Sequence, residues 1–247
     1  SFQGSNTANL SVLISNHGTL SGSITAIDGG AFNERVHNFD TIIGRILLLT
    51  GDDTVINRGL IRGDVNLGSG NDVIDNRKGV VIGSVFGESG SDVFRPGAES
   101  ETIDGGLGID TLDFRGTPAV QVSLDGSVDG TGHADDDSYT GIERVFGSSY
   151  GDILVGDAGL NTLNGFGGKD SLSGGAGGDV LIGGNGIDVL TSVAGSDQFV
   201  FNRASEAGDL ITDFTGTGSS ADFIFVDVSG FAGGLLKGAL ATSKLQI

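Results

Sequence analysis

The stretch GGAGGDVLIGGNGIDVL, residues 174–190, is two copies of one nine-residue phrase, with two leading glycines, an aspartate in sixth place and a leucine in eighth. Laid in register along the chain, the sixth place falls on Asp152, Asn161, Asp170, Asp179, Asp188 and Asp197, six consecutive units over residues 147–200 without a slip. The eighth place falls on Leu154, Leu163, Leu172, Leu181, Leu190 and Phe199. One large apolar side chain per unit is what a short strand needs if it points a single residue into a core.

A second set lies upstream, with Asp92, Glu101 and Asp110 in sixth place and Phe94, Ile103 and Leu112 two residues later. Further back Asp53 and Asp72 stand 19 residues apart, each followed by its own apolar residue, Val55 and Ile74. The unit there approaches two nonads in length. These longer units share the phrases NFDTIIGRILL from Asn38, NRGLIRGDVNL from Asn57 and NRKGVVIGSVF from Asn76, with a relative, NHGTLSGSITA, from Asn16. Apolar alternation broken by glycine reads as strand, corner, strand. A period of about 20 residues built from short strands indicates a solenoid, in which stacking of repeats builds the core.

The expected fold is therefore all-β: a right-handed parallel β-solenoid or β-roll with a C-terminal β cap. Residues 1–86 are expected to form coils of about 20 residues, residues 87–113 a first nonapeptide block, and residues 147–201 a second. Residues 114–146 break the period as an insertion. Residues 202–247, with DLITDF and ADFIFVDVSGF, are strand-rich and placed to cover the last open coil. The chain opens at Ser1 and stops at KLQI, and is expected to be a piece of a longer protein whose cap is truncated.

Composition narrows the function. Glycine contributes 46 of 247 residues, yet hydrophobic residues make up 37% and mean hydropathy is positive, too apolar for a chain that cannot build a core. The formal charge of −19 argues against nucleic acid or an anionic membrane surface and in favour of cations. With no cysteine there is no disulfide framework and no thiolate metal site. The longest strongly apolar tract is ILLL, residues 46–49, far short of the roughly 20 residues that span a bilayer.

The recurring aspartate demands a cause, because like charges stacked at about 4.8 Å repel by on the order of 1 kcal/mol per pair even in water. Glycines in places two and four let the chain curl so that carbonyl oxygens turn to one point, and the sixth-place carboxylate adds a charged oxygen. Calcium takes six to eight such oxygens in flexible geometry. If two nonads make one coil, Asp152 stacks on Asp170, Asp170 on Asp188 and Asp179 on Asp197. Upstream, Asp53 stacks on Asp72, Asp72 on Asp92 and Asp92 on Asp110. An ion between turns would hold each stack together.

These same residues carry a resemblance. GGAGGDVLI and GGNGIDVLT match the RTX calcium-binding nonapeptide G-G-x-G-x-D-x-U-x. The segments YTGIERVFGSSYGDILVGDAGLNTLNG and DLITDF are similar to those flanking such arrays in type I-secreted bacterial proteins, and FAGGLLKGAL resembles the family's terminal region. The likeness covers residues 87–247 well and residues 1–86 loosely. It implies a parallel β-roll that binds several Ca2+ through second- and fourth-place carbonyls and the sixth-place aspartate. Carried over, the metal-binding residues are Asp53; Gly68, Gly70 and Asp72; Gly90 and Asp92; Gly106, Gly108 and Asp110; Asp152; Gly168 and Asp170; Gly175, Gly177 and Asp179; Gly184, Gly186 and Asp188; and Gly195 and Asp197. Asn161 is neutral, Glu101 is longer and follows Glu99, and Tyr150 replaces the fourth-place glycine before Asp152. The resemblance also implies a secreted or surface-exposed bacterial protein that folds on meeting calcium outside the cell.

Competing readings have weaker footing. GSSYG, residues 147–151, fits the G-x-S-x-G nucleophile pattern but sits inside the nonad register. His17, His37 and His133 are scattered and form no zinc motif. The acids of HADDDS from His133 suit a solvated loop. A polysaccharide-binding or adhesive surface module, similar to those attached to alginate epimerases, is one alternative, although two tyrosines and no tryptophan offer little stacking surface. A β-solenoid lyase or epimerase is another, with Asp28, Glu34 and His37 as its few acid/base candidates. The leading expectation is a non-catalytic calcium-binding module.

Overall fold

The computed structural model describes residues 11–201, 208–216 and 220–226. They are all-β, with one 3-10 turn at Gly132–Ala134, and every sheet is parallel. The chain divides into two compact units, residues 1–110 with 139–141, and residues 111–138 with 142–247. Each is a parallel β-solenoid.

In the first unit one face is made by Ser11–Asn16, Asn33–Asn38, Thr54–Asn57, Val73–Asp75 and Val93–Arg95, in that order. Their register places Val36, Val55, Ile74 and Phe94 in one column, all buried. The opposite face carries two columns because the longer coil bends at a glycine. Ile42, Ile61 and Val81 stack on one side of that bend, and Ile46, Val65, Val85 and Ile103 on the other. The apolar positions read from the sequence are thus the core, and the extra glycine-separated strand accounts for the extra coil length.

The second unit repeats the plan with one column per face. Leu112, Val145, Leu163, Leu181, Phe199 and Ile224 align on one face. Val122, Leu154, Leu172, Leu190 and Ile211 align on the other. Residues 114–146, expected as an insertion, supply strands to the coil: Gln121–Ser123 lies beside Ile153–Val155, and Arg144–Phe146 lies between Thr111–Asp113 and Thr162–Asn164. Val122 and Val145 each provide the single buried side chain that the ladder needs. Of the expected cap only residues 208–216 and 220–226 are described, and FAGGLLKGAL lies outside the described residues. The described parts extend the coil: Leu210–Ile211 and Phe223–Val226 pair in parallel with the strands before them.

The corners are set by backbone conformation. At the second place Gly68, Gly106, Gly175 and Gly184 have φ between 93 and 104°. At four second places held by another residue the chain still takes the left-handed conformation: Leu49 at 71°, Glu88 at 72°, Phe166 at 66° and Val193 at 78°. A side chain in that region costs about 1–2 kcal/mol, and a β-branched one suffers most. Fourth-place glycines stack directly over the neighbouring coil, so that a Cβ on Gly90, Gly108, Gly186 or Gly195 would overlap the carbonyl oxygen of Gly70, Gly90, Gly168 or Gly177. Val193→Gly is expected to stabilise the folded chain by about 1 kcal/mol, the relieved strain exceeding the added chain entropy. Urea unfolding of the two proteins side by side in saturating calcium measures it, and an unchanged or lower midpoint would contradict it.

Candidate metal centre

Each corner buries its acidic side chain. Among the residues picked from the sequence, Asp53, Asp72, Asp92, Asp110, Asp152, Asp170, Asp179, Asp188 and Asp197 are all buried, an arrangement that is costly for carboxylates unless the charge is met. The coils meet it in part. The backbone N–H of each sixth-place residue donates to Oδ1 of the aspartate one coil later: Asp53 to Asp72 at 2.6 Å, Asp72 to Asp92 at 2.8 Å and Asp92 to Asp110 at 2.7 Å. In the second unit Asp152 donates to Asp170, Asp170 to Asp188 and Asp179 to Asp197, at 2.7–2.8 Å. All six stacks expected from the sequence are present.

The other carboxylate oxygen is left over. Oδ2 of Asp53, Asp72, Asp92, Asp170, Asp179, Asp188 and Asp197 is buried and accepts no hydrogen bond. At Asp92, Asp170, Asp179 and Asp188 it lies against the first-place glycine of its own repeat, whereas Leu48, Leu67 and Ser192 hold that place before Asp53, Asp72 and Asp197. A Cβ on Gly87, Gly165, Gly174 or Gly183 would overlap the carboxylate oxygen of Asp92, Asp170, Asp179 or Asp188. The leading glycine therefore makes room for the acid, a role distinct from the curling of places two and four. Each of these seven aspartates follows, by two residues, a glycine of positive φ: Gly51, Gly70, Gly90, Gly168, Gly177, Gly186 and Gly195.

Where the motif departs, the protein closes the corner itself. Ser148 holds the second place before Asp152, and its N–H donates to Oδ2 at 2.6 Å while its hydroxyl lies 2.9 Å from Oδ1, which also accepts from Val120 N–H at 2.8 Å. Asn161 Oδ1 accepts from Asp157 N–H at 2.8 Å. Glu101 accepts from Gly97 N–H at 3.0 Å and from the Asn76 side chain. That last contact ends a ladder of buried amides in the first unit, in which Asn16 donates to Asn38, Asn38 to Asn57 and Asn57 to Asn76, each at 2.7 Å. The asparagines that open each long unit thus saturate one corner with neutral side chains, while the aspartates occupy the other.

The ladder also includes residues outside the sequence-derived set. Glu34 N–H donates to Asp53 Oδ1 at 2.6 Å, Asp188 N–H to Asp209 at 2.9 Å and Asp197 N–H to Asp222 at 3.1 Å. A signal existed for all three, an acid two residues before an apolar strand position: Glu34 before Val36, Asp209 before Ile211, Asp222 before Ile224. It was masked because the glycines around it are reduced or displaced.

No three acidic or histidine side chains converge as a ligand group among the described residues, so a bound metal must draw on backbone carbonyls as well. The donor set fits that demand: carboxylate oxygens without partners, stacked glycine carbonyls, and no sulfur. Such all-oxygen sites suit a hard cation of flexible geometry, calcium in particular. Asp53, Asp72, Asp92, Asp170, Asp179, Asp188 and Asp197 are the carboxylates that would hold it.

Electrostatics point the same way. Burial, followed by neighbouring carboxylates, pushes Asp72, Asp170 and Asp179 up to about 7 and Asp92 up to about 6. Burial also raises Asp53, Asp152, Asp188 and Asp197. The ion-free fold thus resists charging its own corners.

The enzyme candidates are not assembled. Glu34 faces inward and His37 outward on the same strand, and Asp28 is exposed. GSSYG forms a corner between parallel strands, with Ser148 committed to Asp152, and has no following helix among the described residues.

Comparison with known proteins matches the RTX calcium-binding nonapeptide repeat in four copies, over residues 84–112, 146–181 and 173–202. The chain therefore carries RTX repeats, and the matched residues cover the second nonad block found by periodicity and all but the last residue of the first. No curated protein matches the chain.

An acid whose folded-state pKa exceeds its unfolded value of about 4 contributes stability in full below that value and loses it as pH rises through the folded value. Without divalent ions the coil is accordingly expected to gain β structure and melting temperature as pH falls from 8 to 5. Asparagine at Asp72, Asp170 and Asp179 should flatten the dependence. Circular dichroism melts across that range check it, and stability that falls on acidification would contradict it.

Proposed function

We propose that this chain is a non-catalytic calcium-binding β-roll whose folding is driven by several Ca2+ ions, as part of a bacterial protein that acts outside the cell. The observation that carries this reading is the recurrence, coil after coil, of a buried carboxylate oxygen with no partner beside a stack of glycine carbonyls. Gly68, Gly70 and Asp72, Gly175, Gly177 and Asp179, and Gly184, Gly186 and Asp188 supply the fullest donor sets. Gly90 with Asp92, Gly168 with Asp170 and Gly195 with Asp197 supply the next. Gly106 and Gly108 with Asp110 keep the complete motif. Asp152, closed by Ser148, serves as a structural corner.

Because these sites exist only in the stacked coil, ion binding free energy is folding free energy. In a calcium-poor cytosol the chain, at −19, is loose and self-repelling, a state suited to type I export. Outside, where calcium is near millimolar, affinities of the extracellular kind, about 10⁻⁴–10⁻³ M, are enough to close the coil. Among the described residues no helix is long and apolar enough to cross a membrane. Of the two tyrosines Tyr139 is buried and Tyr150 stands at a corner, so neither builds an aromatic row for a sugar polymer.

Far-UV circular dichroism and titration calorimetry of the metal-free chain near neutral pH test the proposal. A cooperative transition to β structure with calcium, and none with equal magnesium, is expected, since magnesium demands a rigid octahedron and keeps its waters. A chain equally folded in chelator, with no heat of calcium uptake, would overturn it.

A further inference from the structure

The first long coil carries a corner that the matched repeats do not reach. GGAFNERVH, residues 29–37, has the nonad layout with phenylalanine in fourth place and glutamate in sixth, and Val36 as its buried eighth-place residue. Glu34 is 3% exposed and Asp53, one coil on, is 1% exposed. Glu34 Oε2 and Asp53 Oδ2 are both buried without a hydrogen-bond partner. The N–H groups at this corner are already committed: Glu34 N–H to Asp53 Oδ1 at 2.6 Å, and Asp52 N–H to Asn33 Oδ1 at 3.1 Å. The Phe32 carbonyl is directed at Gly51, where a Cβ would overlap it, as fourth-place carbonyls are in the later coils.

We propose that Glu34 and Asp53, with the Phe32 carbonyl, bind a divalent cation of the calcium class, a site ahead of the matched repeats. The two buried carboxyls lie against each other, so ionising both calls for a positive charge between them, and the donors on hand are all oxygen. The other corner of this coil offers no competing site, because Asn38 is closed by Asn57 through its amide. The cation column of the first unit then begins one coil earlier than the nonapeptide pattern indicates, and on one edge only. This rests on the calcium reading of the later coils.

The chain has no tryptophan, and Phe32 is 47% exposed, so Phe32→Trp places a single sensitiser at this corner. In the full chain carrying F32W, tryptophan-excited terbium emission is expected to rise to saturation, to be displaced by excess calcium, and to vanish when Glu34→Gln is added. Glu34→Gln alone should lower bound calcium by one ion per chain in equilibrium dialysis with unchanged circular dichroism, a reading that does not depend on F32W folding. Absent or E34Q-indifferent emission with an unchanged calcium count, in a chain that still folds with calcium, would overturn this site alone and leave Glu34 and Asp53 sharing a proton. A chain that neither folds with calcium nor takes it up would overturn the site together with the reading beneath it.

Discussion

A carboxylate sealed in a corner, with one oxygen bonded to the next coil and the other bonded to nothing in the protein, is the constraint on which the rest depends. The N–H of one sixth-place residue reaches Oδ1 of the next, so every coil positions its neighbour's acid as well as its own. A charge-assisted bond of this kind favours the ionised form, but a single one does not offset burial, and the aspartates stay well above their ordinary range. The leading glycine is small because the acid lies against it, and the fourth-place glycine because the neighbouring carbonyl does. Much of the glycine content follows from that one packing problem.

The first unit shows two solutions to the same stacking problem side by side. At one corner Asn16, Asn38, Asn57 and Asn76 pass hydrogen bonds from coil to coil, each amide serving as donor and acceptor, so the stack is complete with protein atoms alone. At the other, Asp53, Asp72 and Asp92 form a ladder that is equally regular but one positive charge short at each step. In a solenoid each coil is stabilised mainly by its neighbours. A corner that needs an ion therefore makes the contact between adjacent coils depend on the ion, whereas an amide corner does not.

The period and the two columns were legible because they are written in residue type: Asp179 with Leu181 and Asp188 with Leu190 repeat without a slip, and they predict register pairs that the fold contains. Glu34 was read only as an acid/base candidate, and Asp209 and Asp222 were not read, because their corners lack the full glycine pattern even though hydrogen bonds to backbone N–H groups place them in the same ladder. Asn38, Asn57 and Asn76 were recognised as a recurring phrase but not as a ladder, since sequence spacing cannot distinguish a strand start from a side chain that bonds the next coil. Residues 114–146 looked like an interruption because their loop hides how Val122 and Val145 rejoin the columns. Ser148, which differs from glycine by one hydroxymethyl group, decides whether the Asp152 corner is open or closed, and only the hydrogen bonds reveal it.

That contrast supplies the most direct measurement. Bound calcium is counted by equilibrium dialysis in Asp179→Asn and in Asp152→Asn, two substitutions of equal size at the same place in the motif. If cations meet the unpartnered oxygens, Asp179→Asn binds fewer ions and needs more calcium to fold, while Asp152→Asn keeps the count of the unaltered chain. Equal counts in all three proteins would mean that the orphaned carboxylate oxygens are not ligands, and that something other than calcium holds the coils together.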